Sequence, residues 1–254
     1  MKEEVVLITG AGRGIGKAIA ELFAEKGYAV ALVSRTLIDV EAGASRIVNN
    51  GGTARAFVCD VGSSQQVERL ISEVNQSLGP ISILINNAGV APSAKIETTT
   101  DEMWEKAMAT NVSGAFFLSR AVVPGMRSLG RGQILSLAST AALRGYAYTT
   151  AYTASKHALL GLTRALAVEL EKHKIAVNAL CPGFVRTDIV LESVKNIVAR
   201  TGKSAEEAER DLAKLNEGGK LIEPEAVAWL ALQVVQWPQF QTGKAVLMDG
   251  TLID

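Results

Sequence analysis

The chain has 254 residues, 48% of them hydrophobic and 20% charged, a balance that supports a large buried core and excludes a mainly disordered protein. Lys and Arg together number 26, as do Asp and Glu, so no excess of positive charge favours a nucleic acid partner. No apolar run approaches the roughly 20 residues of a membrane span, and the first residues lack a signal-peptide pattern. We therefore expect a cytoplasmic protein without a membrane partner. With 2 Cys and 2 His, a disulfide framework or a zinc site has too few residues, and no metal is expected.

Strand-like and helix-like segments alternate along the chain. Short β-branched runs predict seven strands, and most of the longer stretches between them have apolar residues at helical spacing. This alternation is typical of a doubly wound parallel α/β sheet with helices on both faces, and we expect a single domain over residues 1–254. The predicted strands are 5–9, 29–33, 54–58, 83–86, 133–137, 175–180 and 245–248, and the predicted helices are 14–26, 37–49, 64–78, 101–128, 151–173 and 224–235.

Residues 187–223 interrupt this alternation. They carry charges of both signs and no strand-like run, and Ser204 and Glu207 have the spacing of a helix-capping box. The segment follows the sixth predicted strand, and doubly wound sheets bind ligands beyond the carboxyl ends of their strands. We interpret it as a helical insertion that covers a substrate.

A glycine-rich turn links the first strand to the first helix. Glycines leave the backbone N–H groups at a helix N-terminus free of side chains, which is the arrangement that a pyrophosphate needs. The turn therefore predicts a nucleotide-binding site, with S-adenosylmethionine as an alternative ligand. The segment reads Thr9-Gly10-Ala11-Gly12-Arg13-Gly14-Ile15-Gly16.

Ser34 and Arg35 follow the second strand, where a carboxylate would bind free ribose hydroxyls. A guanidinium instead suits a 2′-phosphate, so Arg35, together with Arg13, favours NADP(H), with NAD(H) as the alternative, and disfavours S-adenosylmethionine. Both arginines could also be ordinary solvated charges. Asp60, after the third strand, is expected to cap the next helix, to bind the adenine amino group, or both.

Tyr152 and Lys156 are four residues apart in a predicted helix, which places both side chains on one face. A tyrosine titrates near pH 10, and a pKa near 7 requires about 4 kcal/mol of differential stabilisation. A nearby ammonium and an oxidised nicotinamide have the sign of charge that favours the phenolate. The pair is thus a candidate for proton transfer at neutral pH, although the same spacing also occurs in ordinary surface pairs.

Together these motifs resemble the classical short-chain dehydrogenase/reductase family. The glycine turn matches the family's T-G-x-x-x-G-x-G, and Tyr152 and Lys156 match its Y-x-x-x-K. Ser139 precedes Tyr152 at the family's usual interval, and residues 86–89 match its N-N-A-G. The resemblance covers nearly the whole chain. It implies a Rossmann-type fold and an oxidoreductase that moves a hydride between a nicotinamide cofactor and a small-molecule carbonyl or alcohol.

The resemblance also implies roles for individual residues. Tyr152 would exchange the proton with the substrate oxygen, Ser139 would hydrogen-bond that oxygen, Lys156 would lower the phenol pKa, and Asn111 would anchor a water in the proton path. Asn111 could instead satisfy backbone groups, Ser139 could be a helix cap although Thr140 is the more natural one, and residues 182–183 could form only a turn. The implied cofactor-binding residues are Gly10, Gly12, Arg13, Gly14, Ile15, Gly16, Ser34, Arg35, Asp60, Val61, Asn87, Ala88, Gly89, Tyr152, Lys156, Pro182, Gly183, Val185 and Thr187.

The substrate is expected to lie between residues 91–95, residues 141–148 and the insertion. An apolar wall with occasional hydroxyls suits an acyl chain or a ring. Its members are Ala141, Ala142, Leu143, Tyr146 and Tyr148. The pattern is similar to that of 3-oxoacyl thioester reductases, which act on CoA-linked or carrier-linked substrates. Arg127 and Arg131 could receive an acidic carrier or CoA phosphates, or be solvated charges.

Two other functions remain open. The first is a dehydrogenase for a sugar, polyol, steroid or other secondary alcohol, and the second is a non-catalytic protein that senses the cofactor. A sensor need not keep a proton donor, so Ser139, Tyr152 and Lys156 favour an enzyme. The family resemblance further suggests a homotetramer that packs through the helices predicted at 101–128 and 151–173.

Overall fold

The structure, a computed structural model, describes residues 3–254. Eight strands form one sheet in the order β3-β2-β1-β4-β5-β6-β7-β8, and every neighbouring pair is parallel except β7 with β8. The strand order reverses between β1 and β4, where doubly wound sheets form their ligand crevice. The predicted doubly wound α/β fold is confirmed. The strands are β1 Val5–Thr9, β2 Ala29–Ser34, β3 Ala54–Val58, β4 Ile81–Asn86, β5 Gly132–Leu137, β6 Ile175–Leu180, β7 Ala245–Val246 and β8 Leu252–Ile253.

The eighth strand corrects the prediction of seven parallel strands. β7 ends at Val246, two residues earlier than predicted, and the chain turns back through Gly250, whose φ is +86°. The backbone N–H of Thr251 donates to Asp249 Oδ1 at 2.8 Å and holds this turn. A two-residue strand is too short to show an alternating pattern, so only the pairing with β7 reveals β8.

Helices cover both faces of the sheet. The predicted helix 101–128 is divided into two by a π-helical turn, Ala109–Ser113, and a short 3₁₀ helix, Thr140–Ala142, follows β5. None of the helices within residues 3–254 combines the length and apolar character needed to cross a bilayer. The α-helices are α1 Gly14–Glu25, α2 Leu37–Asn49, α3 Ser64–Ser77, α4 Asp101–Met108, α5 Gly114–Leu129, α6 Thr150–Leu170, α7 Asp188–Thr201, α8 Ala205–Ala213 and α9 Pro224–Val235.

The central strands are buried on both faces. In β1, Val6 and Ile8 pack with side chains of α1, α2 and α9, whereas Val5 and Leu7 face the opposite way, toward α3, α5 and α6. Strands in a parallel sheet with helices on both sides have continuous apolar sequences, because both of their faces are buried. The sheet and its two helical layers thereby hold the carboxyl ends of β1, β4, β5 and β6 at fixed positions.

The insertion has a small apolar cluster of its own, separate from the two layers that flank the sheet. The segment leaves and returns side by side, because Val185 forms an isolated parallel bridge with Ile222. Ser204 and Glu207 form the capping box at the start of α8. The cluster consists of Val190, Val194, Ala208, Leu212, Ala213 and Leu221.

Candidate active site

The glycine turn after β1 leaves no room for side chains. A Cβ at Gly16 would lie 2.3 Å from the carbonyl oxygen of Gly10 and 2.5 Å from Asn87 Nδ2, so α1 can approach the strand this closely only at a glycine. Gly10 and Gly14 have φ of +65° and +53°, in the left-handed region that glycine favours. No side chain caps the first N–H groups of α1. These uncapped donors at a helix N-terminus fit the pyrophosphate of a dinucleotide.

Asn87 holds the turn against the end of β4. Its Nδ2 donates to the carbonyl oxygens of Thr9 at 2.8 Å and Gly10 at 3.2 Å. Thr9 Oγ1 in turn accepts from the backbone N–H groups of Asn87 and Ala88, each at 3.0 Å. The amide of Asn87 therefore shapes the cofactor turn, while Asn87, Ala88 and Gly89 also line the cleft.

The ends of β2 and β3 supply the next predicted residues. Arg35 is exposed and forms no ion pair within residues 3–254, so its guanidinium is free to bind a phosphate. Asp60 does not cap α3, which corrects one of the two roles expected for it. Ser63 is the cap, and Asp60 Oδ1 accepts from the backbone N–H of Gly62 at 3.0 Å. If Asp60 were the cap, α3 would begin at residue 61, but it begins three residues later, at Ser64.

Asp39 is a cleft residue that sequence reasoning missed. It lies in the first turn of α2, and a Cβ at Gly12 would lie 2.6 Å from its Cβ, so it packs directly against the glycine turn. Its carboxylate lines the same cleft as Arg35. The signal in the sequence is weak, since an acidic residue in a first helical turn is common for reasons of helix stability alone.

Arg13 contacts the insertion. Its Nη1 lies 3.1 Å from Asp188 Oδ2, and both side chains are largely exposed. A Cβ at Gly14 would lie 3.2 Å from Thr187 Cγ2, so the glycine turn also touches the start of α7. The structure thus joins Arg13 to a carboxylate, and its expected contact with the 2′-phosphate stays a prediction.

Tyr152 and Lys156 share one face of α6, as their spacing predicts. Lys156 is 5% exposed, and its Nζ donates to the carbonyl oxygen of Leu137 at 2.6 Å. The same Nζ lies 5.7 Å from the centre of the Tyr152 ring. Burial lowers the pKa of Lys156 to about 8. Lys156 is therefore mostly protonated at neutral pH, close to the phenol without contacting its oxygen.

Burial raises the pKa of Tyr152 above its usual value, a hydrogen bond from Ser139 partly offsets this, and Tyr146 adds to the increase. The net shift of the phenol pKa is upward, and the lowering expected from Lys156 together with an oxidised nicotinamide stays a prediction. The cause of the upward shift is desolvation, which penalises the charged phenolate and which residue spacing does not reveal. A raised pKa keeps the phenol protonated, the state that a proton donor needs.

Ser139 lies at the end of β5, beside the phenol. Its Oγ accepts from the backbone N–H of Ala141 at 3.0 Å and caps the 3₁₀ helix, so the cap is Ser139 and not Thr140. Thr140 Oγ1 instead hydrogen-bonds the hydroxyl of Tyr146 at 2.8 Å. As a cap, Ser139 uses its oxygen as an acceptor, so its hydroxyl proton is directed toward the phenol oxygen of Tyr152, beside which a substrate oxygen would lie.

Asn111 lies in the π-helical turn and is 2% exposed. Its Nδ2 donates to the carbonyl oxygen of Val90 and to Ser155 Oγ, both at 2.9 Å, and its Oδ1 accepts from the N–H of Val90 at 2.8 Å. These bonds satisfy backbone groups, which was the alternative role considered for Asn111. They also join the segment after β4 to α6, and the water-anchoring role stays a prediction.

Asn216, in the insertion, clamps the turn after β6. A Cβ at Gly183 would lie 2.1 Å from Asn216 Oδ1, so only glycine fits there. Asn216 Oδ1 accepts from the N–H of Phe184 at 2.7 Å, and Nδ2 donates to the carbonyl oxygens of Phe184 and Lys220, both at 2.8 Å. No motif or periodicity marks Asn216 in the sequence.

All these segments line one cleft of about 1060 Å³ at the carboxyl ends of the strands. Every predicted catalytic or cofactor residue lines it except Gly16 and Asn111, which support it from behind. Of the expected substrate wall, Ala142 and Leu143 face away and pack in a cluster with α6 residues. The members that line the cleft are Ala141, Tyr146 and Tyr148.

Arg127 and Arg131 do not line the cleft. Arg131 pairs with Glu4 at 2.9 Å, at the amino ends of β1 and β5, which is the opposite edge of the sheet. Arg127 pairs with Glu169 at a distance of 3.6 Å. Neither arginine is therefore placed to bind a CoA phosphate inside this cleft, and their contact with an acidic carrier stays a prediction.

Comparison with known proteins agrees with this geometry. Residues 4–197 match the family model for short chain dehydrogenase. The short-chain reductase protein NovJ of Streptomyces niveus is 38% identical over 251 residues, which cover 98% of this chain and 94% of the relative. The 3-oxoacyl-[acyl-carrier-protein] reductase of Mus musculus is 34% identical, with 98% of each chain covered. The crystal structure of a variant actinorhodin polyketide ketoreductase with NADPH has a TM-score of 0.93 and 31% identity, over 98% of this chain and 96% of that chain. This protein therefore belongs to the short-chain dehydrogenase/reductase family and is an oxidoreductase acting on alcohol or carbonyl carbons.

Proposed function

We propose that this protein is an NADP(H)-dependent reductase that converts the ketone of a 3-oxoacyl thioester to a secondary alcohol. The observation that carries the proposal is the shared cleft, lined by the glycine turn and Arg35 on one side of the strand-order reversal and by Ser139 and Tyr152 on the other. Its volume of about 1060 Å³ exceeds the roughly 300–1,000 Å³ of a typical single-ligand pocket. A dinucleotide together with a carbonyl substrate requires such a space.

The side chains support the reduction of a ketone. A bound nicotinamide supplies the hydride. Tyr152, kept protonated by burial, donates its proton to the carbonyl oxygen, and the hydroxyl of Ser139 donates a hydrogen bond to the same oxygen. The charge of Lys156 favours the phenolate that remains after this transfer. In the oxidation of an alcohol, the phenolate of Tyr152 would accept the proton of the substrate hydroxyl.

The cofactor is held by residues whose backbone or charge fits its phosphates. The N–H groups at the start of α1 bind the pyrophosphate, and Arg35 binds the 2′-phosphate. Lys156 binds the nicotinamide ribose, and residues 182–187 bind the nicotinamide amide. The similar ketoreductase structure was determined with NADPH, which supports NADP(H), and NAD(H) is the weaker cofactor.

We extend the proposal to the rest of the chain. The insertion covers the substrate, and the whole chain acts as one domain. Four copies of the chain assemble through α4, α5 and α6. Four large apolar side chains on these helices are exposed, which supports an interface there. They are Trp104, Phe116, Leu129 and Val168.

NADPH oxidation, followed by absorbance with 3-oxoacyl thioesters, sugars, polyols and simple ketones, tests the function. We expect Tyr152→Phe to lower kcat by about 10² to 10⁴-fold with an unchanged cofactor Kd, because it removes only the proton donor. Tyr28→Phe is the control, since Tyr28 lies at the opposite edge of the sheet. A full rate in Tyr152→Phe would contradict the mechanism.

Arg35→Asp tests the cofactor assignment in the same assay. We expect the preference for NADPH over NADH to fall by about tenfold or more, because a charge-assisted pair becomes a repulsion. An unchanged ratio would show that Arg35 does not contact the 2′-phosphate. Turnover of sugars or polyols but of no thioester would assign the protein to that substrate class, and tight cofactor binding without any turnover would indicate a sensor.

A further inference from the structure

The face of α7 that lines the cleft changes in polarity along its length. Eight of its residues line the cleft: Asp188 in the first turn and seven others that recur at helical spacing as two adjacent stripes. The first stripe changes from an apolar side chain through a hydroxyl and an amide to a guanidinium, and its members are Ile189, Ser193, Asn196 and Arg200. The second is apolar up to a hydroxyl at its far end, and its members are Val190, Ile197 and Thr201.

The direction of the first stripe follows from the contacts of α7. Its first turn lies at the cofactor turn, because Asp188 pairs with Arg13 and Thr187 touches Gly14. At 1.5 Å per residue, Arg200 lies about 16 Å from Ile189 along the helix axis. The first stripe therefore runs away from the cofactor turn, and its cationic end is the part most distant from that turn.

Carboxylates line only the cofactor side of the cleft, where Arg13 and Arg35 also lie. The three acidic side chains that line the cleft are in the turns after β2 and β3 and at the start of α7: Asp39, Asp60 and Asp188. Arg200 and Lys95 line the cleft elsewhere, and neither forms an ion pair with any part of the chain from residue 3 to residue 254. The outer end of the substrate side thus carries positive charge without a protein counter-ion.

We propose that Arg200 binds the phosphate of a phosphopantetheine arm and that Ser193 and Asn196 hydrogen-bond its amide groups. An acyl thioester on this arm presents, in order from the ketone, the thioester with a short two-carbon linker, two amides, a hydroxyl beside a gem-dimethyl group, and a phosphate. The amides thus precede the phosphate, as the hydroxyl and amide of Ser193 and Asn196 precede the guanidinium of Arg200 along α7. The arm can come from CoA or from a carrier protein, and both sources present the same phosphate. This inference rests on the proposed function, because it places the ketone at Tyr152.

The test compares acetoacetyl thioesters of phosphopantetheine, of pantetheine without the phosphate, and of N-acetylcysteamine, with NADPH in excess. The variants are Arg200→Ala and Lys195→Ala. Lys195 is the matched control, a cation on the same helix that pairs with Glu192 and does not line the cleft. We expect Arg200→Ala to raise KM about tenfold or more for the phosphopantetheine thioester only, with kcat unchanged, because one charge-assisted bond is lost. Lys195→Ala leaves KM for all three substrates unchanged.

Four results would overturn the proposal. Equal KM changes for the thioesters with and without phosphate would show that Arg200 acts only on the helix, and equal effects of Arg200→Ala and Lys195→Ala would show a general effect of charge. If wild type reduces the N-acetylcysteamine thioester but gains nothing from the phosphate, the subsite is wrong while the proposed function stands. If wild type reduces no thioester at all, both are wrong. Acetoacetyl-CoA and an acetoacetyl carrier protein are expected to show the same loss in Arg200→Ala, and the lower wild-type KM identifies the natural source of the arm.

Discussion

The cofactor side and the substrate side of the cleft are built in different ways. The glycine turn is enclosed by backbone atoms and by hydrogen bonds between Thr9 and Asn87, and it rests on the main buried sheet. The insertion packs around its own small cluster and is tied down by one amide clamp and by exposed ion pairs, including Arg186 with Glu209 at 2.8 Å. Regions with few buried contacts open more easily than a core. We infer that the cofactor site is rigid and that the substrate site adjusts to its ligand.

Gly16→Ala is expected to have the largest effect on the rigid cofactor side. The added Cβ would lie 2.3 Å from a backbone oxygen, so the turn must shift. We expect a loss of about 1 to 3 kcal/mol in the free energy of unfolding and a cofactor Kd at least tenfold weaker. Gly161→Ala, with nothing within 4 Å of the new Cβ, is the control and is expected to keep or gain stability. Denaturant unfolding and cofactor titration measure both, and equal behaviour of the two variants would contradict a rigid turn.

Asn216→Ala perturbs the adjustable side. It removes two hydrogen bonds to Phe184 and one to Lys220, each of the kind worth about 0.5 to 1.5 kcal/mol. We expect KM for the substrate to rise about 3- to 30-fold while the cofactor Kd stays the same. Glu217→Ala, an exposed neighbour, is the control. A change in cofactor Kd as large as that in KM would show that the two sides are not independent.

Lys156 lies where the cofactor side and the substrate side of the cleft meet, and its pKa reports how completely water is excluded there. Its pKa is about 8 in the folded chain and 10.5 ordinarily, so between these values the unfolded chain binds more protons and stability rises with pH. Below pH 8 the cost of burying the charge is fully present. Relative to Lys156→Met, the wild-type free energy of unfolding is expected to rise by about 2 kcal/mol from pH 8 to pH 10. Urea unfolding over this range tests it, and a constant difference between the proteins would contradict the lowered pKa.

Asp39→Asn tests a smaller electrostatic effect on the rigid side. The carboxylate is exposed and lies against the glycine turn in the cleft that Arg35 also lines. We expect its removal to raise the preference for NADPH over NADH by about two- to fivefold, because an exposed charge is screened by solvent and salt. The change should shrink at 1 M salt. A ratio that is unaffected at low salt would mean that Asp39 only packs against Gly12.

The features that could be predicted are those encoded by neighbouring residues. The continuous apolar run of β1, the glycine turn and the interval between Tyr152 and Lys156 are local, since backbone geometry alone converts such patterns into strands, turns and helix faces. This is why the doubly wound fold is predicted correctly and why most residues expected at the site line one cleft. The same locality explains why residues 187–223 stood out, because they break the alternation.

The remaining features depend on residues far apart in the chain. The strand β8 exists only through its pairing with β7, and the roles of Asn216 and Asp39 exist only because the fold brings them to Gly183 and Gly12. Arg131 is removed from the cleft by the thickness of the sheet. The raised pKa of Tyr152 reflects the desolvation produced by all the segments around it. Packing, charge pairing and desolvation depend on all the residues that are close in space. The order of residues along the chain does not show which residues those are.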